Sequence, residues 1–425
     1  MRSTSPDKPK LLFVVAGYST TGAQAIRFKN MIPYLSEHYQ VEVIELTWSK
    51  NPEEYEDPYA KFHRVSLSRV GRVLNPVFRQ LGGDSGSTSE KKTSQKSRFV
   101  GQIKGIVRKL LFPDTYWFEI PRLYKKIASV LKGGHYESVI LSAFPFSMLA
   151  LAKRIKKDFP QMTVHYDVGD PFSCSSVESN FRNWLAKFYE KALLQYIDSL
   201  VVTNDATKRY YALGFRKQLE DAKISVVSMG VSTDSLVPIS QLSDKDGAKN
   251  DFSLVYAGRL YTKFREAFEL YKAIDKLNEN QEARFHLHMY GKYNAAFYPA
   301  KYDPEKISFH GMVSNEQVFE AYSECTAIVF LDNAHGIQTP GKVFEVAAIG
   351  RPILFVSDNN ESHSREIVKP LAHVVDCSNT AESIAEAILQ LSTLGPVNPE
   401  EIEAVRHDFS WKKRAMEFRD VLESV

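Results

Sequence analysis

The 425 residues, at about 100–200 per domain, imply two compact domains. A chain 44% hydrophobic and 25% charged is neither disordered, nor collagen-like, nor a disulfide scaffold. Lys and Arg number 54 against 51 Asp and Glu, and the resulting net charge of +3 argues against nucleic-acid binding unless the cations are concentrated.

The opening residues Met1–Lys10 are polar, and the apolar run behind them is too short to span a bilayer, so a cytoplasmic protein, or one on a cytoplasmic membrane face, is expected. Cys174, Cys325 and Cys377 lack metal-ligand spacing and fit a reducing compartment. Short β-branched runs then alternate with helical patterns, the signature of βαβ units and parallel sheets. The first set of expected strands is Leu11–Ala16, Val41–Leu46, Ser138–Ser142, Thr163–Tyr166, Ser199–Thr203 and Ile224–Ser228. A polar linker is expected at 240–251, after which strands restart at Phe252–Ala257, Arg284–Tyr290, Ile307–His310, Ala327–Leu331, Ile353–Val356 and His373–Val375. Two doubly wound domains in tandem, with strand ends facing a shared cleft, are the expected architecture.

Two segments interrupt the first domain. Residues 82–97 are Gly, Ser and Lys-rich without periodicity and are expected to form a mobile loop. Residues 98–112 place Phe99, Ile103, Ile106, Val107, Leu110 and Leu111 on one helical face and Lys104 and Arg108 on another. Between Lys61 and Lys132 the acids are only Asp84, Glu90, Asp114 and Glu119, so the cations hidden by the near-neutral total gather here. Such a basic amphipathic helix either packs on the first sheet or sits on an anionic membrane surface.

Several motifs bear on chemistry. The turn Gly17–Gly22 follows a strand and opens a helix, but it lacks the Lys-Ser/Thr of a P-loop and the glycine spacing of a dinucleotide site. Glu45, ending the second strand, could imitate a ribose-binding acid and leaves a nicotinamide enzyme open. In the second domain Gly258-Arg259-Leu260 ends a strand, with Lys263 and Arg265 close behind; these cations beside a helix start suit a phosphate, or are ordinary loop charges. A helix is expected to enter at Pro340, run through Lys342–Ala348 and stop at Gly350. Its first amides and Lys342 offer a second phosphate cradle, and Glu345 either binds a ribose or complements the helix dipole.

Together these features resemble a GT-B glycosyltransferase, closest to family 4, the transferases of bacterial surface polysaccharides. The resemblance rests on the opening strand and glycine loop, Val164–Phe172, Val201–Asn204, Ser228-Met229-Gly230-Val231, Gly258-Arg259-Leu260, Gly311-Met312-Val313-Ser314, Thr339-Pro340-Gly341-Lys342 with Phe344-Glu345, and Phe409-Ser410-Trp411. It implies an acceptor-binding domain at 1–238, a donor-binding domain at 252–408 and a terminal helix, 409–425, crossing back to the first domain. Arg259 and Lys263 would neutralise a nucleotide diphosphate, with Arg265 sharing that role. Thr339, Gly341 and Lys342 would bind the distal phosphate and Glu345 the ribose, while Met312 and Val313 would lie against the base and Gly17 would face the donor. On the acceptor side Asp170, and less so His165 or Asp167, would supply a polar group.

The sequence departs from the family pattern at Ile337, where a sugar-contacting glutamate is usual, and at Lys263, one position nearer the arginine than usual. The resemblance implies retention, with the leaving phosphate taking the acceptor's proton; an inverting enzyme would use Asp170 as base. Asp167 and Asp170 are spaced DxxD rather than DxD, so no metal and no cofactor are expected, the nucleotide sugar being a substrate. The partners expected are that donor, a saccharide or lipid-linked acceptor and an anionic membrane surface through 98–112, with no nucleic acid. A silent scaffold, a nucleotide-sugar epimerase and, on the paired acids alone, a glycosidase are the alternatives.

Overall fold

The computed structural model describes residues 8–20, 22–50, 52–75, 111–174, 179–239, 251–280, 284–395 and 397–425. The loop expected at 82–97, the basic helix up to residue 110 and the linker at 240–250 lie outside the described residues. The chain divides into two units, Met1–Ser228 with Arg414–Val425, and Met229–Lys413.

The first unit is built on β1 (Lys10–Ala16), β2 (Gln40–Thr47), β3 (Tyr55–Glu56), β4 (Ala60–Ser66), β5 (Tyr136–Ser142), β6 (Thr163–Val168), β7 (Ser199–Val202) and β8 (Lys223–Val226). Their order is β3-β4-β2-β1-β5-β6-β7-β8, with only the short β3 antiparallel. Order reverses between β1 and β5, the switch point at which doubly wound sheets bind ligands. The central strands are buried on both faces: Leu11 to Val15 of β1 are fully covered, as parallel strands between helices must be. The strand β4 was not expected from sequence, because Lys61, His63 and Arg64 break its apolar run; His63 is nonetheless buried, 2.6 Å from Glu42.

In the second unit β9 (Asp251–Ala257), β10 (Arg284–Tyr290), β11 (Ile307–Gly311), β12 (Ala327–Leu331), β13 (Ile353–Val356) and β14 (Val374–Cys377) form a parallel sheet. The order β11-β10-β9-β12-β13-β14 is that of a dinucleotide-binding fold, with the switch point between β9 and β12. Alternate residues feed separate cores: Leu254 and Tyr256 pack with Leu287 and Ile384 on one face, Val255 and Ala257 with Ile328 and Val346 on the other.

The division falls at Ser228/Met229 rather than at 238. The backbone explains the difference: Val231 N donates to Phe409 O at 2.7 Å and Arg406 Nη2 to Val237 O at 3.0 Å, so the chain after Ser228 is held by the second unit's helix Pro399–Asp408. The second division lies inside the terminal helix Trp411–Leu422, between Lys413 and Arg414 rather than at 409. Its end packs on the first unit, where Phe418 stacks 6.3 Å from Phe13 and Tyr39 Oη donates to Glu423 Oε1 at 3.4 Å. Among the described residues no helix is long and apolar enough to cross a membrane.

Candidate active site

Two loops of the second unit flank its switch point. The first leaves β9 at Gly258, where a Cβ would stand 2.9 Å from the Tyr256 hydroxyl, so only glycine fits without displacing that ring. The Tyr256 hydroxyl donates to Arg259 O at 3.1 Å, fixing the loop's backbone while the Arg259 side chain stays exposed. Tyr261 and Arg265 then exchange backbone hydrogen bonds of 2.8 Å, closing a tight turn with Lys263 at its tip. Lys263 has φ +61, the left-handed region that favours glycine, and its amide is held by Glu266 Oε1 at 2.8 Å.

The second loop follows β12. Asn333 accepts from Arg265 Nη2 and donates through Nδ2 to Gln338 O at 3.2 Å, while Ala334 N donates to Phe264 O at 2.8 Å, so the two loops are stitched together. Arg265 Nε is buried and has no hydrogen-bond partner among the described residues. An unspent guanidinium N–H beside the exposed Arg259 suits an anionic ligand. Burial pushes the Tyr256 phenol up to about 12, with Arg265 pulling the other way.

This second loop ends at the helix Lys342–Ile349, which opens at Gly341 with no side-chain cap and closes at Gly350 with φ +90. Uncapped first-turn amides and the helix dipole favour an anion. Lys342 Nζ donates to Glu345 Oε2 at 3.2 Å, both side chains being about one-third exposed (39% and 34%). Thr339 is half-buried just before this turn. The stretch Gly336–Gln338 is tied down by Asn359 Nδ2, which donates to Gly336 O at 3.4 Å. The turn at Met312 and Val313 stands at the end of the edge strand β11; Met312 is 76% exposed, and Gly311 O accepts from Gly291 N at 2.8 Å. Tyr290 and His335 belong to this surface, Tyr256 and Asn333 are buried beneath it, and none of the four was singled out from sequence. Tyr290 stacks 4.3 Å from His310, and His335 meets Phe264 at 5.1 Å. Strand-end position alone could have flagged Tyr290 and Asn333.

In the first unit the residues expected on the acceptor side separate sharply. His165 and Asp167 are fully buried in β6 and are not open to a substrate. His165 Nε2 lies 3.3 Å from Ser138 Oγ, and burial lowers its pKa to about 4, so it is a neutral core imidazole. Asp167 receives Arg27 Nε at 3.1 Å and Nη2 at 3.3 Å, in an ion pair with no exposed surface on either side chain. Of the three, Asp170 alone has an exposed surface, beyond the strand end, and desolvation raises its carboxyl pKa. Phe172 of the same turn is buried between Phe146 at 4.3 Å and Phe112 at 5.8 Å. Gly17 has φ +64 and starts a loop fixed by Glu45, whose Oε1 accepts from Ser19 N at 2.7 Å and whose Oε2 accepts from Arg64 Nε at 3.0 Å. Both oxygens of Glu45 are thus engaged in holding the glycine loop, which removes it as a ribose ligand.

Glu190 underlies the Asp170 turn and was missed from sequence. Its Oε1 accepts from Tyr211 Oη at 2.6 Å and its Oε2 from Ser173 Oγ, and burial pushes its carboxyl up to about 7 against those bonds. The folded value exceeds the ordinary 4.5, so the folded chain holds an extra proton between 4.5 and about 7. That contribution to stability is complete below the unfolded value and is lost as pH rises through the folded one. Unfolding free energy is therefore expected to fall by about 1–3 kcal/mol from pH 5 to 8, and Glu190→Gln to flatten this slope, as urea titrations at both pH values will show.

Residues 251–393 match the family model described as "Glycosyl transferases group 1". No curated protein was found to match the chain in sequence. Among solved structures, sucrose-phosphate synthase from Thermosynechococcus elongatus is similar at 13% identity and TM-score 0.64, covering 98% of this chain and 99% of its own. A trehalose-6-phosphate protein from E. coli, bound with UDP-2-fluoro glucose, is similar at 10% identity and TM-score 0.65, covering 98% and 99%. Anabaena Alr3699/HepE, in complex with UDP and glucose, is similar at 10% identity and TM-score 0.55, covering 98% and 100%. Residues 251–393 thus match a glycosyltransferase group 1 domain, and the chain has the GT-B fold.

Proposed function

We propose that the protein transfers a sugar from a nucleotide-diphosphate sugar to a saccharide or lipid-linked acceptor of bacterial surface-polysaccharide synthesis, with retention and without a metal. The observation that carries this reading is the pairing of loops at the second unit's switch point, where the exposed Arg259, the buried unpaired Arg265 Nε and the uncapped helix at Gly341 gather donors for an anion. Two of the similar structures hold UDP or a UDP-sugar analogue, which favours a nucleotide diphosphate as that anion.

Cleavage of a glycosyl–phosphate bond leaves negative charge on the departing diphosphate, so the chief electrostatic task is to stabilise that group. Arg259, Lys263 and the amides at Gly341 and Lys342 would do so, while Glu345 accepts two ribose hydroxyls. Metal independence is supported by the fate of the DxxD pair: Asp167 is consumed by Arg27, leaving Asp170 as the exposed acid of that pair. In a retaining reaction the leaving phosphate accepts the acceptor's proton, and no protein base is needed.

A thermal-shift series with uridine, guanosine, adenosine and thymidine diphosphates and their sugars tests the donor site. A ligand at about 100 times its dissociation constant adds about 2.7 kcal/mol of stability. Glu345→Ala is expected to weaken binding of the stabilising nucleotide about 10–100-fold by removing charge-assisted bonds to the ribose. Stabilisation by none of the nucleotides, or an unchanged affinity in Glu345→Ala, would overturn the donor assignment.

A further inference from the structure

The helix Asn180–Leu193 of the first unit presents its aromatic side chains outward. Phe181, Trp184 and Phe188 are 67%, 54% and 56% exposed, although they touch one another: Phe181 and Trp184 stack at 6.0 Å, and Trp184 meets Phe188 edge-on at 4.6 Å. At about 100° per residue the three fall within about 60° of arc, a narrow apolar stripe on the solvent side of a helix. Lys187 and Lys191 are exposed along one flank. The helix's one acid, Glu190, points inward and is buried, so the outer face carries cations without counter-charges of its own. Next to it Trp117 and Phe118 are also exposed, with Trp117 6.4 Å from Tyr189 of the helix.

We propose that this face docks the protein on an anionic phospholipid bilayer, the rings entering the interfacial layer and the lysines meeting the headgroups. Aromatic rings mixed with lysine fit a membrane interface, where both are enriched, whereas the core of a protein–protein contact is depleted in lysine. A two-fold pairing of this face with a second copy would bring Lys187 and Lys191 towards their own duplicates, while an anionic bilayer complements them. The surface lies on the unit expected to meet the acceptor, so the proposal deepens the lipid-linked reading of that acceptor. It stands apart from the transfer chemistry, because vesicle binding is measured with no sugar donor present.

Co-sedimentation with phosphatidylcholine vesicles, with and without phosphatidylglycerol, tests it on the full chain. Binding to the anionic vesicles is expected to be at least about tenfold stronger, from two lysines at the surface, and to weaken with salt. The variant Phe181→Ser/Trp184→Ser/Phe188→Ser should lose that binding with an unchanged circular-dichroism melt, since the side chains are exposed. Lys187→Glu/Lys191→Glu should abolish the preference for anionic lipid, providing an independent variant whatever the first one's fold. Equal partition onto both vesicle types, no partition at all, or variants that bind as the parent does would overturn the proposal. A dimer in light scattering that the triple variant dissolves would assign the face to self-association instead.

Discussion

Arg27→Ala is expected to lower the unfolding free energy by about 3–5 kcal/mol, the cost of leaving one member of a buried ion pair alone. Arg27 and Asp167 have no exposed side-chain surface, and the guanidinium reaches both carboxylate oxygens, at 3.1 and 3.3 Å. Burial already pushes the Asp167 pKa up, with Arg27 pulling it back down; truncation removes the opposing pull and leaves a desolvated acid near the end of β6. The same guanidinium donates to Ser228 O at 2.7 Å, so the carbonyl ending the first unit loses a donor too. The double variant Arg27→Met/Asp167→Leu should recover most of the loss, because an apolar pair of similar volume avoids desolvating two charges. Equilibrium urea unfolding of the parent, Arg27→Met, Asp167→Leu and the double variant closes the cycle. A loss below about 1 kcal/mol for Arg27→Ala would mean that the ion pair carries no structural weight.

That pair also shows where the sequence stops being informative. Asp167 lies at the end of an apolar strand, where acceptor-side acids are expected, and nothing local distinguishes it from Asp170. Its partner is 140 residues away, on the helix Ala23–Leu35, so its true role depends on tertiary contact rather than on spacing. His165 misleads for the same reason, since a polar side chain on a strand covered on both faces is a core group however chemically attractive it looks. Glu190 escapes notice because helical periodicity predicts that a charged residue faces water, whereas here the aromatic residues do.

The second unit's elements were more legible because they rest on backbone devices that leave local marks. Pro340 and Gly350 bracket a helix found at Lys342–Ile349, and the Gly258 turn follows a mostly apolar strand, Asp251–Ala257, that forms where it was expected. Lys263 was legible only in part. Its early position could be counted in the sequence, but the consequence, a lysine forced to φ +61 at the tip of a turn closed by Tyr261 and Arg265, needed the backbone to appear. The unit boundary was similarly hidden, since Pro238 and the polar run after it mark a loop, while the true division depends on the Val231–Phe409 hydrogen bond across some 180 residues of chain.

Arg259→Ala is expected to reduce kcat about 10²–10³-fold, as removal of one donor aimed at developing charge does elsewhere, while donor binding weakens less than tenfold. The asymmetry follows from the reaction. The diphosphate is already anionic in the bound donor, so Arg259 contributes something to binding, but the bridging oxygen gains its charge only as the glycosyl bond breaks. The side chain is exposed at the switch point and its backbone carbonyl is fixed by the Tyr256 hydroxyl at 3.1 Å, so truncation removes the cation without loosening the loop and should leave the melting temperature unchanged. Arg259→Lys should recover part of the rate, because lysine keeps the charge but not the two-pronged geometry of a guanidinium. Steady-state release of the nucleoside diphosphate, with donor affinity measured separately, distinguishes the two effects. A fall in affinity with kcat intact would make Arg259 a ground-state binder and shift the leaving-group role to Lys263, Arg265 and the amides at Gly341.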